Sequence, residues 1–428
     1  MIGRNAVLRI PLLAACAWFL VSCSSDPDFD LVIRGGTVYD GTGEASGIRR
    51  ADVGIAGDRI RQVGDLGTRT ARESVDATGR IVAPGFIDAQ SRSGLTLLAD
   101  GAGESHLRQG ITSEVLSDNS PAPWTAATAD TGALRRYGIT LDWMGLGGYF
   151  DRLESRGTAI NVGSLIPLSL ARAAGNSTSF IDGAMREGAF GLVDDVNADV
   201  PELVAASIPV GTRDGMVMLR VDSAAASSDE GVLAVGAHAH RIVIAGLSHA
   251  PADHPASEMI GRMLRAVPRN VFVYGTITPY ASVAGEPDAT VRETAKFGGV
   301  LIGTDSAAVR ASSAPADTHP AAFGAFPRFV GPYVRDGVFE LREAVRRATS
   351  VPASVFQIQQ RGIIRENYYA DLVVFDARTV ADRATFERPN EYPAGIDYVV
   401  VNGVVVLTPR GLTGSRSGHR LLHGASTR

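Results

Sequence analysis

Cysteine is almost absent: the 428 residues hold two, Cys16 and Cys23, both close to the N-terminus. The body of the chain therefore offers neither an internal disulfide nor a thiolate for a metal. Basic runs are missing as well. Lys and Arg total 41 against 46 Asp and Glu, a net charge of −5, so neither a global nor a local field draws in nucleic acid. Nucleic acid is excluded as a partner. There is no Gly-rich phosphate loop, no internal repeat and no low-complexity linker. The apolar stretch Ile10 to Val21 is too short to cross a bilayer core of ~30 Å as a helix. What is present is an ordinary globular composition, 45% apolar and 20% charged, in a length that suits one large domain plus a smaller one.

The N-terminus carries an export pattern. Arg4 and Arg9 precede the short apolar core, and Leu20-Val21-Ser22-Cys23 is similar to the bacterial lipobox, whose Cys is acylated and becomes the mature N-terminus. Residues 1–22 are then a signal peptide and 23–29 a polar tether, with Cys23 as the site of lipid attachment. An ordinary signal peptide ending near a Cys is the alternative. With Ser24 rather than Asp after Cys23, the resemblance places the protein in the outer membrane facing the periplasm, held by acyl chains worth ~0.8 kcal/mol per buried CH₂.

Strand signals open and close the chain. Asp30 to Arg34, Asp52 to Ile55 and Arg59 to Val63 are punctuated by Gly35-Gly36 and Gly57-Asp58. Asp371 to Phe375 reads the same way, and Tyr398 to Val401 faces Val404 to Leu407 across Asn402-Gly403, a strong hairpin signal. Residues 30–84 and 365–428 are expected to form one composite β-domain, a small sandwich. Between them, residues 85–364 alternate apolar strand runs (Ile160 to Leu165, Val217 to Arg220, Arg241 to Ala245, Val271 to Tyr274, Val300 to Gly303) with helices such as Ser257 to Val267 and Glu340 to Ala348. That alternation predicts an α/β fold with a TIM-like (β/α) barrel. A doubly wound sheet is the runner-up.

In such a barrel, chemistry gathers at the C-terminal ends of the strands. Two stretches read as strand-end junctions: Val82 to Asp88, and Leu301-Ile302-Gly303-Thr304-Asp305. Asp305, directly after an apolar run, either projects its carboxylate into the barrel mouth or caps the next helix.

The motifs resemble one family in particular. Asp30 to Gly43, Val75 to Arg80 leading into Pro84-Gly85-Phe86-Ile87-Asp88, Arg108 to Thr112, Ala184 to Leu192, Gly303-Thr304-Asp305, His319-Pro320, Phe326-Pro327-Arg328, Ala370 to Asp376, Ala384 to Glu387 and Tyr392 to Ile396 are similar to the amidohydrolase superfamily, closest to its N-acyl-D-amino-acid deacylases, or D-aminoacylases. The resemblance implies a metal-bearing barrel with a β-domain built from both chain ends. It also implies hydrolysis of the amide bond of N-acylated D-amino acids, with zinc polarising the carbonyl and activating water. Asp305 stands where that family keeps its general base.

The departures fall where the metal belongs. The family's His-x-His after the first strand is Gln90-Ser91-Arg92 here, and a guanidinium has no lone pair for a cation. The loop that supplies a Cys ligand reads Ser117 to Pro121, with Asp118 either a ligand or a solvated carboxylate. Leu168 stands in place of a His. Thr-His-x-Arg has become Val217-Met218-Leu219-Arg220, keeping only Arg220, the expected substrate-binding residue. Leu192-Val193-Asp194-Asp195-Val196 brings in two acids. Within Leu247-Ser248-His249, His249 is a possible surviving ligand, although a gap-free alignment puts Gly246 in that position. His238 and His240 are expected on the preceding helix, His106 on a helix surface, and His419 and His423 in the tail. Ala321 replaces the Arg that follows His-Pro in the family.

Structural and catalytic zinc sites need three or four protein ligands, and losing even a supporting partner costs about 10- to 100-fold. The expectation is a degenerate metal site without zinc. The chain then reads either as a pseudoenzyme that binds a small-molecule ligand or a partner in the barrel mouth, or as an active hydrolase with a site rebuilt around Asp305, drawing on Asp194, Asp195 and His249.

Overall fold

The computed structural model describes residues 27–117, 131–175, 177–195, 199–220, 229–247, 267, 270–281 and 288–424. Five strands come first: β1 Phe29–Tyr39, β2 Ile48–Ala56, β3 Arg59–Gly64, β4 Ala71–Asp76 and β5 Ile81–Pro84. Nine more follow in the middle of the chain: β6 Phe86–Ser91, β7 Ile111–Leu116, β8 Asn161–Ser164, β9 Ile166–Pro167, β10 Gly191–Asp195, β11 Met216–Arg220, β12 Arg241–Ala245, β13 Phe272–Ile277 and β14 Val300–Ile302. The last four are β15 Leu372–Phe375, β16 Ile396–Val401, β17 Val404–Thr408 and β18 Gly411–Leu412.

The outer strands of the chain pair with one another. The order is β18-β17-β16-β15-β5-β1-β2-β3, with β4 also on β1, and the two chain ends meet where Val82 of β5 faces Val374 of β15. β1 is long enough to take β4 along its first half and β5 along its second, and its register with β2 shifts between Ile33 and Gly36. A Cβ on Gly36 would lie 2.4 Å from Val82, so the side chain is omitted where the strands approach. Apolar residues of both ends (Ile33, Val53, Val75, Val82, Val374 and Val400 among them) share one core. The Asn402-Gly403 turn has φ of 48° and 80°, the positive pair that a two-residue hairpin turn demands.

The middle strands form two parallel sheets, β6-β7-β8 and β9-β10-β11-β12-β13-β14. Only Leu165 separates β8 from β9, and the Phe190 amide, just before β10, donates to Ser164 of β8 at 2.9 Å. At the other side Ser91 of β6 bridges in parallel to Ser306, and the Asp305 amide donates to the Gln90 carbonyl at 2.8 Å. With β8 and β9 counted as one interrupted strand, eight parallel strands thus run in chain order round a closed path. Strands β11 to β14 are largely apolar on both faces, as parallel strands covered on both sides tend to be, whereas β6 to β8 carry buried polar residues. Ile87, Ala89, Val115, Val193, Met218, Val243 and Leu301 fill the interior, while Ile111, Val162, Leu192, Val217, Ile244 and Ile302 meet the surrounding helices.

Two details set the ends of this ring. Val82 to Asp88, read from sequence as one junction at a strand end, is two strands: β5 belongs to the nine-stranded sheet and β6 opens the ring. The chain changes sheet at Gly85, where a Cβ would sit 2.1 Å from Thr112 Oγ1, so only glycine fits. The C-terminal segment returns beside β8: Gly418 bridges to Thr158, Arg420 to Val162, and Leu421 is 2% exposed among the interior residues, next to Phe356 and Val351. His419 and His423 lie in this tail, and His423 Nε2 is 2.8 Å from the Arg213 carbonyl. The expected helix from Glu340 runs from Leu341 to Ala348 with Glu340 as its flanking residue. The Ser257 helix, apart from Val267, lies outside the described residues, as do residues 1–26 with Cys23. No helix among the described residues is long and apolar enough to cross a membrane.

Candidate functional site

Gln90 and Arg92 stand at the C-terminal tip of β6, and Asp305 follows β14, the next strand round the ring. Arg92 grips Asp305 with two hydrogen bonds, Nε to Oδ1 at 2.8 Å and the terminal NH₂ to Oδ2 at 3.0 Å. Gln90 Nε2 donates to Asp305 Oδ1 at 2.9 Å, and Gln90 Oε1 accepts from Thr276 Oγ1 of β13 at 2.7 Å. Backbone bonds clamp the same seam, with the Arg92 amide donating to the Ser306 carbonyl at 3.0 Å. Asp305 adopts φ 46°, a left-handed conformation that Asp tolerates better than most residues, and this turns the carboxylate across to β6. No helix begins at Asp305, so the capping alternative is overturned: its side chain is committed to Arg92 and Gln90.

The other expected site residues scatter. Arg220 ends β11, in register with Asp195 and Ala245 of the neighbouring strands. Asp194 does not face the mouth. Alternation along β10 sends Val193 inward and Asp194 outward, where it is 2% exposed and paired with Arg172 at 2.9 Å. Asp195 lies in β10, and its side chain, like all of Asp118 and His249, lies outside the described residues. Leu168 is fully buried at the start of the helix Leu168–Ala173, and Met218 belongs to the ring interior. Ala321 begins the helix Ala321–Val330 and is buried. His238 and His240 are not helical: the helix Asp229–Gly236 ends before them, and they sit in the turn into β12.

The largest correction concerns His106. It lies in the short helix Glu104–Leu107 but is fully buried rather than on a surface, because that helix packs against the outer faces of β6 and β7. His106 Nδ1 is 2.8 Å from Glu114 Oε2 and 4.0 Å from Asp88 Oδ2. Asp88, His106 and Glu114 are all inaccessible, and their ligand-type atoms lie within 4.8 Å of one another. Asp88 Oδ1 accepts from the backbone amides of Gln90 and Thr304 at 2.9 and 3.0 Å, and Oδ2 from Thr304 Oγ1 at 2.6 Å. Burial raises the Asp88 pKa to about 7, against the lowering effects of His106 and of the bonds from Thr304 and Gln90, while Glu114 adds to the rise. Asp88 thus links two places: its bonds hold the backbone under Gln90 and Asp305, while its side chain meets His106 behind the strands.

Comparison with known proteins fits this architecture. The profile described as "Amidohydrolase family" matches residues 280–407. An N-acyl-D-glutamate deacylase of Alcaligenes xylosoxydans xylosoxydans is 31% identical over 484 aligned positions, covering 93% of this chain and 97% of that protein. The chain belongs to the amidohydrolase family. A D-aminoacylase from the same organism is 29% identical, over 95% of this chain and all of its own length. Among solved structures, the N-acyl-D-glutamate deacylase of Bordetella bronchiseptica, complexed with zinc and a phosphonate inhibitor, superposes with a TM-score of 0.77 at 26% identity, over 92% of this chain and 99% of that one. The likeness carries the family's fold, a TIM barrel with a β-sandwich domain. The 484 aligned positions exceed the 428 residues here, so that relative carries insertions this chain lacks.

A zinc ion at the mouth of an amidohydrolase needs imidazole, thiolate or carboxylate donors pointing at one point. Of the family's ligand positions whose side chains are described, Gln90, Arg92, Leu168 and Met218 offer no imidazole, and the Asp305 carboxylate is spanned by a guanidinium. These residues do not fit the ion. Asp88, His106 and Glu114 are the group of metal-ligand type among the described residues, and they lie behind the strands rather than in the mouth.

Proposed function

We propose that this amidohydrolase keeps the deacylase frame but has replaced the cation of its mouth by the Arg92–Asp305 ion pair, and that it binds a small carboxylate-bearing ligand there without hydrolysing it. The observation that carries the reading is the two-point grip of Arg92 on Asp305. A general base must be within hydrogen-bond reach of the proton it abstracts, with room for the attacking water. Both Asp305 oxygens accept from side chains, and the positive charge of Arg92 fills the place of a metal while presenting no acceptor orbital. What a guanidinium does well is bind carboxylates in two-pronged fashion, and Arg220 at the tip of β11 supplies a second one on the same rim. The whole-length deacylase relatives suggest the ligand class, N-acylated amino acids of D configuration. Anchoring at Cys23 on the periplasmic side of the outer membrane belongs to the same proposal.

The test is a panel of N-acyl-D-amino acids offered to the full chain with zinc added. Heat of binding without turnover is expected, and Arg220→Ala should weaken the binding by about tenfold or more. Stoichiometric metal in the mouth, with turnover abolished by Asp305→Asn, would overturn the proposal in favour of an active hydrolase rebuilt around Asp305. Anchoring is tested separately: Cys23→Ser should move the protein from the membrane fraction to the soluble one.

A further inference from the structure

The buried group behind the first two ring strands is chemically odd. Two carboxylates, Asp88 and Glu114, meet one imidazole, all three with no solvent exposure. Among the described residues, neither carboxylate receives a bond from Arg or Lys. Asp88 is served by Gln90 and Thr304, and Glu114 by His106 and by Ser93 Oγ at 3.2 Å. Even with His106 protonated, one negative charge stays uncompensated in a dry environment, which is strongly unfavourable. Proteins resolve such a deficit with a proton or with a cation.

Two further observations favour the cation. Glu114 Oε1 is fully buried and has no hydrogen-bond partner among the described residues, although buried polar atoms are satisfied in the great majority of cases. A proton shared within the group would leave Oε1 unserved, whereas an ion beside the Glu114 carboxylate would serve it. The spacing also suits one ion. Ligands at ~2.0–2.2 Å from a tetrahedral metal stand about 3.3–3.6 Å apart, and the observed separations of 2.8 Å (His106 to Glu114) and 4.0 Å (His106 to Asp88) bracket that range.

We propose that Asp88, His106 and Glu114 form a divalent-cation site buried behind β6 and β7, outside the barrel mouth. One imidazole with two carboxylates suits a borderline ion such as Zn²⁺ or Mn²⁺. With all three ligands inaccessible, the ion enters as the chain folds and adds to folding stability. It pins the helix Glu104–Leu107 to the two strands, and through Asp88 it fixes the backbone of Gln90 and Thr304 beside the ion pair of the mouth. The proposal goes beyond the reading of the mouth and does not depend on it.

The experiment refolds the full chain from denaturant with a chelator, then with Zn²⁺ or Mn²⁺, and counts ions per chain by mass spectrometry after dialysis. One ion per chain is expected in the wild type. Glu114→Gln and His106→Gln should lower occupancy at limiting metal by tenfold or more, while Asp305→Asn keeps it. Added metal should raise the melting temperature of the wild type but not that of Glu114→Gln. If the Gln variants do not fold, Glu114→Asp, which keeps the charge and shortens the reach, carries the test: weaker retention supports the site and unchanged retention overturns it. A wild type that refolds with both metals present and holds neither overturns it, as does an ion lost in Asp305→Asn and kept in Glu114→Gln.

Discussion

Replacing Arg92 by Met removes the guanidinium and keeps an unbranched side chain to pack. The interaction lost is two charge-assisted hydrogen bonds, 2.8 and 3.0 Å long, between side chains that are 37% and 16% exposed. Exposed ion pairs contribute about 0–1 kcal/mol, and breaking a fully buried one costs about 3–5 kcal/mol. Water still reaches the guanidinium here, so the coupling belongs between those limits, at about 2 kcal/mol. Arg92→Met alone should cost slightly more, because among the described residues it leaves the Asp305 carboxylate with only the Gln90 side-chain amide. The double variant Arg92→Met with Asp305→Asn should be more stable than Arg92→Met, since no orphan charge remains. Urea unfolding followed by circular dichroism on the four proteins yields the coupling directly. A coupling under about 0.5 kcal/mol would show that the pair does not organise the seam, and the reasoning about the mouth would fall with it.

Introducing imidazoles with Gln90→His and Arg92→His together should, if the proposed reading of the mouth holds, add cation binding beside Asp305, read as extra Co²⁺ or Zn²⁺ retained per chain; no gain would count against that reading. Asp88 keeps its proton in the native chain up to about pH 7, whereas in the unfolded chain it releases it near pH 4. The native state therefore holds the extra proton between those values, and its stability falls as pH rises through that window. The urea midpoint of metal-stripped protein should decline from pH 4 to 7, and Asp88→Asn should flatten the decline. An equal slope in the variant would refute the assignment. Leu421→Ala, at a position 2% exposed among the ring's interior residues, should cost about 2–5 kcal/mol by thermal or urea unfolding, although it lies within a few residues of the chain end. A cost below about 1 kcal/mol would mean that the Leu421 side chain does not help to hold the ring interior together.

The strands were legible because their signals are local. Asn402-Gly403 between two β-branched runs forms its hairpin, and the apolar runs from Arg241, Val271 and Val300 become successive strands of one sheet. Gln90 and Arg92 could be singled out for the same reason, since they stand two residues apart on one strand end, and both meet Asp305. What stayed hidden depended on which way a side chain points. Asp194 and Asp195 look equivalent as a pair of acids, yet alternation along β10 sends Asp194 to the helix layer and Arg172. Glu114 stands in a strand buried on both faces, where no polar side marks its direction. His106 sits in a helix of four residues, too short to show a periodicity, so nothing in the sequence reveals that its one turn is pressed against β6 and β7. The buried triad joins residues from three elements, and packing rather than pattern brings them together.

The sheet knitted from both chain ends has a consequence for biosynthesis. β5 is among the first strands to leave the ribosome, yet its partner β15 belongs to the closing stretch of the polypeptide. Until translation is nearly finished, that edge has nothing to zip against, and the C-terminal segment that pairs beside β8 arrives later still. A stalled or nicked chain lacking about its last seventh, from before β15 onward, would therefore be left with β5 unpaired on that edge and without the segment that pairs beside β8. Quality-control proteases would have a ready means of telling complete copies from incomplete ones.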